Sequence, residues 1–179
     1  MRDSLMHRSD RSRRLDRWLS PRRAFGLAAI ACFALIAFAL YLQYAQNEEP
    51  CPLCVFQRVA VIALGVVFLA AAVHAPGRTG LRIYSVLLVL IAATGAAIAS
   101  RHVWLQLLPK DRVPECGPGL DFMLQQFPLA DVLALVFRGS GECAEAGWRF
   151  LGLTIPAWTL IWFIGLGVLA LVVGWRARR

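Results

Sequence analysis

Four stretches of the chain carry no charged residue: Ala24 to Asn47, Val59 to Gly77, Ile83 to Ser100 and Phe150 to Trp175. At about 1.5 Å per residue, roughly 20 helical residues cross a hydrocarbon core of about 30 Å. Ala, Leu, Val, Ile and Phe recur around the whole circumference of each stretch. None has the polar stripe of a soluble amphipathic helix, which predicts helices facing lipid. A fifth apolar stretch, Phe122 to Phe137, is broken by Pro128 and carries Asp131 near its middle. An aspartate at the bilayer centre costs about 2.5–3.5 kcal/mol, so this stretch is not read as a span. Leu120 to Phe127 is instead expected to lie as a short helix in the interface, with Phe122, Met123 and Phe127 dipping into lipid. The predicted fold is an all-α membrane protein, a four-transmembrane-helix bundle with a long loop containing that interfacial helix. Its spans cover about residues 24–46, 55–76, 82–101 and 152–175, and the two loops on one side cover about 47–54 and 102–151. Residues 24–179 form a single membrane domain behind a basic arm, 1–23.

Composition supports the lipid bilayer as the partner: 59% of the 179 residues are hydrophobic and only 17% are charged. That excludes a disordered, collagen-like or nucleic-acid-binding chain. The net charge of +8 is clustered. Eight arginines between Arg2 and Arg23 precede span one, Arg78 and Arg82 sit in the short second connection, and Arg176, Arg178 and Arg179 follow span four. These regions, both termini included, are expected to be cytoplasmic, with the other two loops on the periplasmic side. Span one is too long for a signal-peptide core of about 7–15 residues, and the basic arm reads as a topology signal without a further function.

The remaining chemistry is at sulfur. On this sidedness Cys51, Cys54, Cys116 and Cys143 face a compartment in which disulfides persist. Cys32 lies mid-span among Ala and Phe and is read as a packing residue. Cys116 and Cys143 are 27 positions apart in a loop rich in Pro and Gly, where a structural staple is one reading. Cys51 and Cys54 stand in Pro-Cys-Pro-Leu-Cys where span two begins, which puts a dithiol at a helix amino-terminus. The positive end of the helix dipole there favours thiolate over thiol. Arg58, one turn deeper on the same face, adds to that preference. An arginine four residues into a span is costly unless something anionic or polar meets it, which makes it a candidate site residue.

A Cys-x-x-Cys is also half a zinc knuckle. The second pair lacks knuckle spacing and no His-x₃₋₅-His follows, so no metal is expected. A thioredoxin-like domain is excluded by the absence of a βαβ pattern. Two dithiol pairs on one side of a membrane suggest a relay of electrons from water to lipid. The chain has no haem ligands, flavin fingerprint or iron-sulfur spacing, so the acceptor is expected to be a quinone dissolved in the bilayer. The outer end of span three offers Arg101, His102 and Gln106, the last two at i and i+4, whose imidazole and amide suit quinone oxygens. Equally, Arg101 and His102 mark the interface and Trp104 belongs to an aromatic belt.

Several motifs in order carry a family resemblance: Cys-Pro-Leu-Cys-x-x-x-Arg at Cys51 to Arg58, His102-x-x-x-Gln106, Cys116 followed by Asp121-Phe122-Met123, and Ser140-Gly-Glu-Cys-Ala-Glu ending in Trp148-x-Phe-Leu-Gly-Leu. Over nearly everything after the basic arm, the chain resembles the bacterial disulfide bond formation protein B (DsbB) family. The resemblance implies a quinone-dependent thiol-disulfide oxidoreductase of the inner membrane that reoxidises a periplasmic DsbA-like thiol oxidant and passes the electrons to ubiquinone or menaquinone. It further implies that Cys116 forms the mixed disulfide with the partner, that Cys143 is its disulfide mate, and that Cys51 and Cys54 exchange with that pair. Cys54 is then the sulfur nearest the quinone, Arg58 stabilises charge there, and His102 and Gln106 lie near the ring. The arm, Cys32 and the charged run Lys110 to Glu115 depart from the pattern. Three rivals stand beside this reading. A vitamin K epoxide reductase-like enzyme is opposed by the early position of Cys51 and Cys54. A scaffold would have a merely stapled loop, and a metal transporter is opposed by spans without carboxylates.

Overall fold

The computed structural model describes residues 20–46, 50–109, 120–139, 141–144 and 148–176. Helices α1 (Pro21–Ala45), α2 (Pro52–His74) and α3 (Arg78–Gln106) are followed by three short helices, α4 (Leu120–Gln126), α5 (Leu129–Arg138) and α6 (Gly141–Ala144). A hairpin of β1 (Arg149–Phe150) and β2 (Leu153–Thr154) leads into α7 (Ile155–Arg176). Among the described residues, α1, α2, α3 and α7 are the four helices long and apolar enough to cross a membrane. Their bounds differ from the hydropathy pattern for local reasons. Prolines in the first turn start α1 and α2 earlier than the apolar run does. Helix α3 continues past Arg101 to Gln106, so the polar residues of that last turn are helical too.

Helix α1 packs along α2, α2 against α3, and α3 most extensively along α7. Lipid gives helices no hydrophobic reason to associate, so close approach at small residues holds such bundles together. Here a Cβ on Gly95 would overlap the Phe163 ring, one on Gly174 would overlap Ser85, and one on Gly65 would press on Cys32 at 3.1 Å. Cys32 is fully buried in this core beside Leu64, Phe68 and Leu88, the packing role its setting predicts. Leu27, Ile30, Val66, Ile83, Leu90 and Ile164 point outward and are exposed, an apolar exterior suited to lipid. The seam between α1 and α7 is thin by comparison.

A second cluster caps the end of the bundle where α2 begins. Leu53, Ile98, Leu105, Met123, Val132 and Val136 pack there with Cys51 and Cys143. Met123 is therefore buried, not dipped into lipid as the interfacial reading has it: Met123 faces inward into this cluster, whereas Phe122 and Phe127 are exposed as expected. The short helix expected to end at Phe127 is followed by a second one. Pro128 occupies its N-cap position, and Val132 and Val136, one turn apart, face inward. Gly139, at φ +89°, ends it at a place where Leu105 fills the space a Cβ would need. Ten residues reach about 15 Å, half a bilayer, so α5 does not span. The hairpin turns at Leu151 (φ +50°) and Gly152 (φ +80°), positive at both central positions as two-residue hairpin turns favour.

Candidate active site at the start of α2

Cys51 is the N-cap residue of α2, in extended conformation, and Pro52 fixes the first turn. Cys54 is thereby folded back towards Cys51, with their sulfurs 3.2 Å apart. Disulfide closure at about 2.05 Å needs a movement of about 1 Å. Cys51 is buried and Cys54 half-buried. The third group is His102, in the last turn of α3 and only 2% exposed. Its Nε2 lies 3.7 Å from the Cys51 sulfur, and the side-chain nitrogen of Gln57 lies 3.0 Å from its Nδ1. An amide N–H donating to Nδ1 leaves the ring proton on Nε2, aimed at sulfur.

Arg58 lies one turn beyond Cys54. Its guanidinium donates to Gln43 Oε1 and to the carbonyl of Ala39, 3.2 Å away, so α1 supplies the polar company that an arginine inside a span requires. Gln106 accepts a hydrogen bond from Thr154 Oγ1 at 2.7 Å, which ties α3 to β2.

Cys51, Cys54, Arg58, His102 and Gln106 all line one cavity of about 930 Å³. Its apolar walls are α1 and α7, and the thin seam between those helices is bridged by a run of aromatic rings. Phe38 meets Trp148 edge-on at 5.8 Å, Trp148 stacks on Phe150 at 5.8 Å and 2°, and Phe150 meets Trp158 at 6.1 Å. Trp158 Nε1 donates to the Phe150 carbonyl at 3.0 Å and holds the hairpin against α7.

The structure thus brings together five of the residues singled out in the sequence. Cys143, on α6, is 1% exposed and packs in the same cluster as Cys51, with Cys54 against it. Cys116 lies outside the described residues. Arg101, grouped in the sequence with His102, does not line the cavity. It donates to the carbonyls of Phe137 and Arg138 at the end of α5, both at 3.1 Å, and its guanidinium lies 4.2 Å above the Trp104 ring. Gln57 and Gln43 are absent from the sequence reading. A polar residue inside an apolar span is the signal that marks both.

Four apolar helices with a vicinal cysteine pair at the head of the second define a membrane protein built for thiol chemistry. Comparison with known proteins narrows the class. The family profile described as Disulfide bond formation protein DsbB matches residues 21–173. A protein of Nitrosococcus oceani named Disulfide bond formation protein B is 56% identical over 161 residues, which cover 90% of this chain and 94% of the relative. Proteins of the same name from Methylococcus capsulatus and Chromobacterium violaceum are 51% and 48% identical, over 89% and 90% of this chain and 98% and 97% of their own lengths. The chain belongs to the DsbB family and is a multi-pass membrane disulfide bond formation protein.

Proposed function

We propose that the protein reoxidises a DsbA-like thiol oxidant on the periplasmic side of a bacterial inner membrane and delivers the electrons to membrane quinone. The observation that carries this reading is the Cys51 and Cys54 pair, sulfurs 3.2 Å apart, on the wall of a large apolar cavity. In the proposed cycle the partner's thiolate attacks Cys116 of a Cys116–Cys143 disulfide and releases Cys143 as thiolate. Cys143 belongs to the same packed cluster as Cys51 and Cys54; in this cycle it attacks Cys51 of a Cys51–Cys54 disulfide and releases Cys54 as thiolate toward the cavity. The second partner thiolate and Cys116 complete the exchanges, and Cys51 and Cys54 end as a dithiol. A bound quinone supplies the oxidising equivalent, taking up two electrons and two protons as the Cys51–Cys54 disulfide re-forms.

The lining fits a flat ring with two carbonyl oxygens. The aromatic run from Phe38 to Trp158 offers faces, and Arg58, His102 and Gln106 are among the few polar side chains on a mostly apolar wall. Arg58, held by Gln43 and Ala39, would favour negative charge at Cys54. His102, with Gln57 donating to Nδ1, would present an Nε2–H to sulfur or to a ring oxygen. The thin α1 and α7 seam is the proposed route from the bilayer, and the basic termini are assigned to the cytoplasm from the arginine distribution.

The test is an anaerobic assay of the purified protein with a reduced DsbA-like partner and, separately, ubiquinone and menaquinone, following thiols and quinol together. Stoichiometric conversion of one dithiol per quinol is expected, and Cys54→Ser should abolish it. Turnover by Cys54→Ser at the unaltered rate would end the proposal.

A further inference from the structure

His102 stands 48 positions beyond Cys54, far outside any metal-ligand spacing along the chain. In space the picture changes. Cys51 Sγ, Cys54 Sγ and a His102 ring nitrogen lie within 4.8 Å of one another, with separations of 3.2 Å between the sulfurs and 3.7 Å from Cys51 Sγ to Nε2. A tetrahedral zinc with bonds of about 2.3 Å to sulfur and about 2.0 Å to nitrogen holds such atoms about 3.5–3.8 Å apart. The two sulfurs therefore need to part by about half an ångström, and Cys54 needs to turn toward the ring by about 1 Å.

We infer that the reduced Cys51 and Cys54 pair, with His102, binds one thiophilic divalent cation of the zinc and cadmium class. Two thiolates and one imidazole hold three positions, and the fourth faces the cavity, the open pattern of a Cys₂His site. Binding releases one proton from each thiol and leaves a neutral centre, two thiolates against a dication, which suits a buried place. Cys51 and His102 are 8% and 2% exposed. The ligand nitrogen Nε2 must be free of its proton, so the ring proton moves to Nδ1 and needs an acceptor there. Gln57 meets both states: its amide donates to Nδ1 in the metal-free site, and the same amide turned over offers Oε1 to Nδ1–H. Metal-ligating histidines are held by such a second hydrogen bond. Oxidation of the pair to a disulfide removes both thiolates, so binding belongs to the reduced state alone. If the proposed relay is right, the ion traps the protein at that stage. The binding itself does not depend on the relay.

The test uses the full-length protein with Cys116→Ser and Cys143→Ser, reduced under anaerobic conditions and titrated with Cd²⁺ while the ultraviolet thiolate-to-cadmium charge-transfer band is followed. One equivalent is expected, displaced by Zn²⁺, and the oxidised protein should give no band. His102→Ala should weaken the affinity at least about tenfold, as should Gln57→Leu, whereas Gln57→Glu should retain it, in line with the roughly 10–100-fold effects of such supporting contacts. Cd²⁺ should also protect Cys54 from alkylation in the protein with His102 and Gln57 unaltered, a readout independent of how the variants fold. An unprotected Cys54, an equal band in the oxidised protein, or unaltered affinity in a folded His102→Ala variant would overturn the site. No quinone or partner is present, so failure of the relay leaves this outcome unaffected.

Discussion

The side-chain nitrogen of Gln57 stands 3.0 Å from Nδ1 of His102, joining the second turn of α2 to the last turn of α3. Both residues are buried, at 3% and 2% exposure, so Nδ1 of the ring and the Gln57 amide have no water to turn to in place of each other. Replacement of Gln57 by Leu leaves a buried ring nitrogen unpaired, which costs about 1–3 kcal/mol. The melting temperature of Gln57→Leu in detergent should fall accordingly, whereas Gln57→Glu, whose carboxylate accepts from Nδ1–H once the ring takes its other tautomer, should lose less. Equal melting temperatures for Gln57→Leu and the unaltered protein would mean that the contact carries no stability.

Cys143 shares a packed cluster with Cys51, although 92 positions separate them in the chain. Disulfide formation requires Cα atoms about 4.4–6.8 Å apart, so the cross-link reports whether the short α6 brings Cys143 that close to Cys51. In Cys54→Ser with Cys116→Ser, mild oxidation should join Cys51 to Cys143 and shift the band on a non-reducing gel. Cys32, fully buried in the other cluster, should stay reduced and serves as the internal control. Absence of the cross-link would separate α6 from the dithiol in the working protein.

Arg58 presents its guanidinium to the cavity while Gln43 and Ala39 hold it from α1. Hydrogen bonds to a charged group contribute about 1.5–3 kcal/mol. On the proposed function, Arg58→Ala should raise the apparent quinone KM by roughly tenfold or more while Cys51 and Cys54 remain titratable. Gln43→Ala, which removes only one of its two anchors, should give a smaller rise of the same kind. An unaltered quinone dependence in Arg58→Ala would take that residue out of the site.

The four spans and the dithiol at the head of α2 were legible because each rests on a local rule, an uncharged run or a proline next to a cysteine. Arg58 announced itself by its cost in an apolar helix. What the sequence does not carry is association across helices: Gln57 with His102, Gln43 with Arg58, and the shared cluster of Cys143 and Cys51 have no common period or spacing. The burial of Met123 is hidden for the same reason, since an apolar side chain in a short helix looks alike whether lipid or a protein core covers it. The split at Pro128 was legible, but α5 beyond it was not, because Asp131 argued only against a span. In the helix it occupies the first turn, where an acidic residue is favourable.

Arg101 ties the end of α5 to α3 through the Phe137 and Arg138 carbonyls and stacks on Trp104. These contacts are partly exposed, so their combined contribution is about 1 kcal/mol or a little more. Arg101→Ala should therefore loosen α5 without disturbing the bundle. Hydrogen exchange should accelerate severalfold over residues 129–138 and stay constant in α1, α2 and α7. Uniform acceleration throughout would show instead that α5 holds the whole fold.

Two glycines separate helix propensity from packing. Alanine in place of a helical glycine gains up to about 1 kcal/mol when nothing opposes it. Gly165 has open space where a Cβ would stand, but at Gly95 the same atom overlaps the Phe163 ring. That ring is 1% exposed and held between α3 and α7, so it has nowhere to retreat, and overpacking costs about 1–3 kcal/mol. Gly165→Ala should be neutral or stabilising and Gly95→Ala destabilising. Phe163→Leu should restore part of the loss in the Gly95→Ala background, because it removes the atoms in conflict. If Gly95→Ala melts no lower than the unaltered protein, α3 and α7 are not in the close contact that their packing describes.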